Sequence, residues 1–157
     1  MQEIPIKAFL SSLVAMRDQS GRTEVLLLQR TQTLAGEWCQ ITGRIEPDET
    51  AWQTALRELR EETGLTPLAF YSADICEQFY EVARDAITLV PVFVAMIDPE
   101  DTVVLNHEHS DFQWVSIEQA IQMVTFGGQR RVLRWIDEEF VQCPPSAHLK
   151  IEIPAEH

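Results

Sequence analysis

Alternating and continuous stretches of apolar residues along the chain predict a protein built from both strands and helices. The predicted strands cover residues 4–15, 24–30, 39–42, 68–80, 86–97 and 111–115. The predicted helices cover residues 50–63, 116–124 and 129–141, and turns are expected at 17–22 and 81–85. Strands and helices follow one another without a regular strand–helix repeat. This order predicts an α/β fold, an α/β/α sandwich with a mixed central sheet.

Capping residues support the predicted helix boundaries. Gly64 stands where a glycine often ends a helix, directly after residues 50–63. Ser116 and Gln119 have the spacing of a capping box and predict the start of the second helix. Gly127 and Gly128 interrupt the pattern between the second and third helices. We therefore expect those two glycines to lie outside any helix.

The length and composition indicate one globular domain that spans residues 1–157, with a tail from about residue 143 that has no predicted structure. The longest apolar run, residues 87–97, contains Pro91 and is too short to cross a bilayer. The N-terminus lacks the basic and apolar segments of a secretory signal. Three widely spaced cysteines form no metal-binding pattern and are typical of reduced thiols. We therefore expect a cytoplasmic protein.

The charge of the chain restricts its partners. The formal net charge is −13. A surface this acidic repels a nucleic acid duplex, so duplex binding is not expected. A small polyanionic substrate would be repelled as well, unless a bound cation neutralised it.

Three carboxylates on the first predicted helix suggest such a cation. Glu58, Glu61 and Glu62 are spaced i, i+3 and i+4, which places them within about 100° of one helix face. Like charges at this spacing destabilise an isolated helix, and a bound cation would offset that cost. Oxygen ligands suit Mg²⁺ or Mn²⁺ better than zinc or copper.

The rest of this helix can hold the carboxylates in place. Trp52, Ala55, Leu56 and Leu59 form an apolar stripe that would pack on the sheet. Arg57 lies four residues before Glu61 and can orient its carboxylate. The site would therefore be carried by a rigid element, as a preorganised metal site requires.

The segment from residue 43 to residue 65 resembles the Nudix box. That motif contains a glycine, a glutamate, an Arg-Glu pair, an aliphatic residue, two consecutive glutamates, a second glycine and a final aliphatic residue at set spacings. The matching residues are Gly43, Glu49, Arg57, Glu58, Leu59, Glu61, Glu62, Gly64 and Leu65. Every slot is filled. The resemblance implies the Nudix fold and hydrolysis of a phosphoanhydride bond with Mg²⁺, for which Mn²⁺ can substitute.

The resemblance also implies roles for the residues of the box. Glu58 and Glu62 would be metal ligands, and Gly43 would offer its backbone carbonyl to a metal. Glu61 would be a ligand or the general base that takes a proton from the attacking water. Arg57 would orient these glutamates.

Glu49 would support the junction of loop and helix by pairing with Arg57. Outside the box, Glu108 resembles the loop glutamate that helps to bind metal or to position water in the dihydroneopterin triphosphate pyrophosphatase branch, although an exposed loop acid is an equal alternative. His107 and His109 are candidate bases, but exposed loop histidines are more often bystanders.

Four further residues are candidates for substrate binding. Arg30 and Arg44 would contact phosphate; a structural ion pair for Arg30 and solvent exposure for Arg44 are the alternatives. Trp38 precedes the box, and packing against the box helix is its alternative role. Tyr80 would stack on a base, unless it belongs to the core.

The leading functional hypothesis is a pyrophosphohydrolase acting on a nucleoside triphosphate such as dATP, or on dihydroneopterin triphosphate. A Nudix enzyme for ADP-ribose, a nucleotide sugar or a dinucleoside polyphosphate is the alternative. A non-catalytic binding module would usually lack a box glutamate, and an isomerase acting on a prenyl diphosphate would need a catalytic cysteine, for which Cys39 is available. The family resemblance also admits a homodimer.

Overall fold

A mixed sheet with helices on both faces forms the core of the computed structural model, which describes residues 1–155. Within that range the strands are β1 (Ile6–Lys7), β2 (Leu10–Gln19), β3 (Arg22–Arg30), β4 (Trp38–Cys39), β5 (Ile41–Arg44), β6 (Ala69–Glu81), β7 (Ala86–Met96) and β8 (His109–Val115). The α-helices are α1 (Ala51–Thr63), α2 (Ile117–Met123) and α3 (Gly127–Ile136). The predicted α/β/α sandwich with a mixed sheet is confirmed.

The sheet is continuous through β6, β7, β2, β3 and β8. The pairing of β2 with β7 is parallel, and that of β1 with β7 is parallel as well, whereas the other pairs are antiparallel. β2 and β3 pair only near the hairpin that joins them. Beyond it, β2 pairs with β5 and β3 pairs with β4. The chain that leads into α1 therefore lies between the two central strands.

Two apolar cores lie on opposite faces of the sheet. On one face, Leu56 and Leu59 of α1 pack with Leu13, Leu26 and other sheet residues. On the other face, α2 and α3 cover side chains of the same strands that point the opposite way. Because neighbouring strand residues alternate between faces, β3 contributes to both cores, as its continuous apolar sequence predicts.

Helix α1 begins and ends where its sequence predicts. The hydroxyl of Thr50 accepts a hydrogen bond from the backbone N–H of Gln53, and the Gln53 side chain accepts one from the Thr50 N–H, which completes a capping box. Gly64 ends the helix at φ 73°, in the left-handed region that glycine adopts at little cost. The helix direction, and hence the position of its acidic face, is thus determined locally.

Several predicted boundaries were wrong. The expected strand 39–42 is divided into β4 and β5, and β8 begins at His109 rather than at residue 111. The expected first strand is divided into β1 and β2, and β2 continues through the expected turn to Gln19. The reversal is a tight turn at Ser20 and Gly21, both with positive φ. The two glycines of the 127–128 pair do not break a helix but begin α3. The side-chain oxygen of Gln129 accepts a hydrogen bond from the Phe126 N–H and thereby caps this start.

The C-terminal tail has structure that its sequence did not predict. α3 continues into a π-helical turn (Asp137–Val141), which falls within the predicted helix 129–141, whereas the 3-10 turn that follows (Ala147–Leu149) was not predicted. The N–H of Ile151 donates to the carbonyl of Phe70 at 2.8 Å, so the tail lies along β6. Residues 156 and 157 of the predicted tail lie outside the described residues. None of the helices within residues 1–155 is long and apolar enough to cross a membrane.

Candidate metal and phosphate site

Arg57 holds together acidic groups of α1 and of the loop that precedes it. Its Nε and Nη2 donate to the two carboxylate oxygens of Glu49 at 2.9 and 3.0 Å. Its Nη1 donates to Glu58 at 2.7 Å and to Glu61 at 3.3 Å. Nη2 also donates to the carbonyl of Arg44 at 3.0 Å, which ties the helix to β5. The predicted pairing of Glu49 with Arg57 is confirmed, and the planar guanidinium is suited to these simultaneous contacts.

Electrostatics strengthens the Glu49–Arg57 pair. The hydrogen bonds from Arg57 lower the pKa of Glu49 from 4.5 to about 2. Glu49 in turn raises the pKa of Arg57 further above its already high value. Thr54 donates its hydroxyl to the same carboxylate. Glu49 is therefore ionised at neutral pH and committed to Arg57.

Gly43 allows β5 to approach helix α1 closely. A Cβ at this position would lie 2.4 Å from Cγ and Cδ of Glu58 and 2.5 Å from its Oε1. Such distances are far below van der Waals contact, so glycine is the only residue that fits with Glu58 where it stands. The glycine of the box is thus required here by the position of a carboxylate.

Glu62 is an acidic side chain in the interior of the protein. It is 2% exposed, and its Oε2 is buried without a hydrogen-bond partner in the described structure. Burial, and then the charges of Glu58 and Glu108, raise the pKa of Glu62. Burial also raises the pKa of Glu58, and Arg57 opposes that effect. A buried carboxylate without a partner is costly, and it indicates a ligand that balances its charge.

Glu108 and His109 meet Glu62 at the start of β8. One ligand atom from each of these three side chains lies within 4.8 Å of the other two. The Nδ1 of His109 is also buried without a hydrogen-bond partner, and burial lowers the pKa of this histidine. A neutral imidazole and two carboxylates are metal-ligating groups. These residues fit a divalent cation, and His109 is half-buried on a strand, not in an exposed loop as expected.

A cavity of about 180 Å³ lies beside this cluster, and a larger cleft of about 650 Å³ adjoins it. The two share Arg30, Cys39, Gln40 and other lining residues. The structure brings three of the predicted substrate-binding residues together, because Arg30, Arg44 and Tyr80 all line the larger cleft. Tyr80 is exposed rather than part of the core.

Trp38 does not join this group. It lines neither of the two cavities, and it forms an isolated bridge with Val124 and packs in the core beneath α2 and α3. That core is on the face opposite α1, so packing against the box helix was also wrong. The side chains of Trp38 and Cys39 point to opposite faces because they are consecutive residues of one strand.

Sequence reasoning missed a group of buried polar residues in the larger cleft. Gln40, Glu77 and Gln129 are 7%, 8% and 7% exposed. Gln40 lies between β4 and β5, Glu77 in β6 and Gln129 in α3. Only the fold brings these three residues together. The exposed Phe79 and Phe126 also line this cleft. No local pattern distinguished Glu77, because β6 also carries Ser72, Asp74, Gln78 and Glu81.

Cys39 lines the site but is not an activated nucleophile. Burial raises the pKa of its thiol from 9.0 to about 11. Its Sγ lies 3.6 Å from the carbonyl of Leu28, to which the thiol donates. The thiol is therefore protonated at neutral pH, contrary to what a reactive cysteine needs.

A family model described as the NUDIX domain matches residues 9–136, which include every element that positions these groups. The chain belongs to the Nudix family. It is a Nudix hydrolase, an enzyme of the pyrophosphohydrolase class. Members of the family generally use divalent metals.

Several proteins with named activities are similar to this chain in sequence. An asymmetrical bis(5'-nucleosyl)-tetraphosphatase of Caenorhabditis elegans is 32% identical over 126 residues, which cover 79% of this chain and 90% of that protein. A dihydroneopterin triphosphate diphosphatase of Haemophilus influenzae is 34% identical over 111 residues, 63% of this chain and 69% of that protein. The crystal structure of a C. elegans Ap4A hydrolase binary complex superposes with a TM-score of 0.72 at 29% identity, over 82% of this chain and 94% of the other.

Proposed function

We propose that this Nudix hydrolase uses Mg²⁺, with Mn²⁺ as a substitute, to hydrolyse a nucleoside triphosphate-like substrate to a monophosphate and pyrophosphate. The observation that carries the proposal is the meeting of Glu62, Glu108 and His109 beside two adjoining cavities. One cavity is of a size for phosphate groups. The other is large enough for a nucleoside and is flanked by aromatic side chains.

The proposed metal ligands are Glu58, Glu62, Glu108 and the backbone carbonyl of Gly43, with His109 as a further candidate. A divalent cation held there would neutralise the phosphate chain and lower the pKa of a bound water. The unpartnered atoms of Glu62 and His109 support this assignment, because metal binding would satisfy both.

Glu61 is the proposed general base. Its side chain is 55% exposed and lies next to the buried carboxylates, so it can reach a water at the edge of the site. Arg57 is a positioning residue, since its hydrogen bonds to Glu58 and Glu61 set the direction of both carboxylates. Arg30 and Arg44 line the cleft and would contact phosphate oxygens.

A dinucleoside polyphosphate is the second candidate substrate. The likeness to the C. elegans tetraphosphatase, which extends over 90% of that protein, favours it. The same metal site would serve, because both substrates present a phosphoanhydride bond. An isomerase is not favoured, since the thiol of Cys39 is held protonated.

A substrate panel with Mg²⁺ tests the proposal. The panel would contain dATP and other triphosphates, dihydroneopterin triphosphate, ADP-ribose and diadenosine polyphosphates, with products separated by ion-exchange chromatography. Pyrophosphate and a monophosphate from one triphosphate are expected. Cleavage of the dinucleotides alone would select the second candidate, and no turnover of any of these compounds would contradict both.

Metal binding is tested separately by thermal unfolding. Mg²⁺ or Mn²⁺ should raise the unfolding temperature of the wild-type protein, because a ligand of the folded state stabilises it. Glu62→Gln should be more stable than wild type in EDTA, since it removes a carboxyl group whose burial raises its pKa and costs stability at neutral pH, but it should lose the response to metal. Glu118→Gln, an exposed change on α2, is the matched control. An unchanged metal response in Glu62→Gln would remove Glu62 from the ligand set.

A further inference from the structure

The buried polar residues of the larger cleft form a chain of hydrogen bonds that starts at the backbone. The N–H of Phe126 donates to Oε1 of Gln129 at 2.9 Å. Nε2 of Gln129 donates to Oε1 of Gln40 at 2.9 Å. Nε2 of Gln40 then donates to Oε2 of Glu77 at 3.3 Å and to the hydroxyl of Ser12 at 3.2 Å.

This chain can run in only one direction. A backbone N–H is always a donor, so the oxygen of Gln129 must face Phe126 and its nitrogen must face Gln40. The oxygen of Gln40 is thereby occupied, and its nitrogen must face Glu77. The hydrogen bonds thus determine which side-chain amide atom of Gln40 and of Gln129 is the oxygen and which is the nitrogen. The group at position 77 must consequently present an acceptor to Gln40.

The second oxygen of Glu77 is available to a ligand. Oε1 makes no hydrogen bond within residues 1–155, and it is not among the fully buried atoms that lack a partner. Glu77 lines the cleft, and a Cβ on Gly128 would lie 3.5 Å from this oxygen, so the absence of a side chain at 128 keeps the approach open. The carboxylate therefore offers the cleft one directed acceptor.

We propose that Glu77, oriented by Gln40 and Gln129, recognises the exocyclic amino group of a nucleobase bound between the aromatic side chains of this cleft. The inference rests on the proposed function, because it assumes that the ligand is a nucleotide. Phe79, Tyr80 and Phe126 line the cleft and are 38%, 53% and 51% exposed, so their rings are accessible for stacking. A base with an amino group supplies the donor that Oε1 lacks. An oxo group at the same position is an acceptor, like Oε1, so the two oxygens would repel each other.

The chain also predicts the effect of one substitution. In Glu77→Gln, Gln40 still presents its nitrogen to position 77, so the new amide must turn its oxygen towards Gln40. Its NH₂ group then faces the cleft. The variant therefore presents a donor where the wild-type protein presents an acceptor, and its base preference should reverse.

Binding of matched nucleotide pairs tests this inference without requiring turnover. ADP and CDP carry an exocyclic amino group on the base. Their partners IDP and UDP carry an oxo group at the same position, and the neighbouring ring nitrogen is protonated. Dissociation constants would be measured by calorimetry with Mg²⁺. The wild-type protein should bind ADP and CDP about tenfold to a hundredfold more tightly than their oxo partners, the usual effect of a hydrogen bond to a charged group.

Glu77→Gln should lower these ratios at least about tenfold and bring them towards or below one. Glu81→Gln is the matched control, because Glu81 lines the same cleft but Arg84 and Thr88 already occupy both of its oxygens. Its ratios should equal those of wild type.

Equal binding of amino and oxo bases by the wild-type protein, tighter binding of oxo bases, or unchanged ratios in Glu77→Gln would each overturn the inference. Failure to bind any of the four diphosphates would overturn the placement of a base in the cleft. These outcomes are distinct from failure of the proposed function, because selective binding without hydrolysis would retain the base site and remove the activity.

Discussion

Replacing Gly43 by alanine is expected to remove most of the activity while the fold remains stable. The added Cβ would lie 2.4 Å from Cγ and Cδ of Glu58, whereas ordinary contacts begin near about 3.4 Å. The Glu58 carboxylate would therefore have to move by about 1 Å, and would leave its 2.7 Å hydrogen bond to Arg57. A displacement of this size at a reacting centre costs about a hundredfold in rate.

The stability of the Gly43→Ala protein should change little, because the atoms that must move belong to the end of one flexible side chain. Gly64→Ala provides the opposite case. Its Cβ would meet only Val104 at 3.8 Å, but φ is 73°. The left-handed backbone costs a non-glycine residue about 1–2 kcal/mol. This corresponds to a fall of roughly 2–8 °C in unfolding temperature for a domain of this size.

The assay compares kcat at saturating Mg²⁺ with thermal unfolding for both variants and wild type. Gly43→Ala should lose rate and keep its unfolding temperature, and Gly64→Ala should lose stability and keep its rate when folded. If Gly43→Ala retained kcat within about threefold, the position of Glu58 would not matter for the reaction. Equal loss of stability in both variants would show that the effect at Gly43 is a folding defect.

Glu61→Gln and Glu62→Gln should each lower kcat at least about a hundredfold, the usual scale for a base or a metal ligand; near-wild-type rates in both would contradict the assigned site. The depressed pKa of Glu49 adds stability above about pH 4.5 that is lost as the pH falls to about 2. Glu49→Gln should therefore reduce the acid-induced loss in the free energy of unfolding by on the order of 1 kcal/mol after solvent screening. Urea unfolding at a series of pH values would measure this difference. At pH 8, iodoacetamide should modify the two exposed cysteines and spare Cys39, as mass spectrometry would show; rapid labelling of Cys39 would refute its raised pKa.

The sequence by itself determined the acidic helix. Helical periodicity places Glu58, Glu61 and Glu62 together, and local capping by Thr50 and Gly64 sets both ends of α1. The pairing of Arg57 with Glu49 could be predicted as well, because both belong to one continuous segment. These features depend on interactions between residues close in the chain, so the fold of the rest changes them little.

The tertiary structure decided which distant residues join that helix. Glu108 lies 46 residues after Glu62 in the chain. The pairing of β8 with β3 nevertheless brings Glu108 and His109 to Glu62. Trp38 was placed with the substrate from its position before the box, but the alternation of side chains along β4 turns it to the opposite face.

The polar chain in the larger cleft is the clearest case of a feature that only the fold creates. Gln40, Glu77 and Gln129 are separated by 37 and 52 residues, and no local pattern relates them. Their hydrogen bonds depend on β6, α3 and the segment before the box meeting at one point. Long-range packing sets that meeting point, so the acidic face of α1 could be anticipated from a motif while the hydrogen-bonded chain from Gln129 to Glu77 could not.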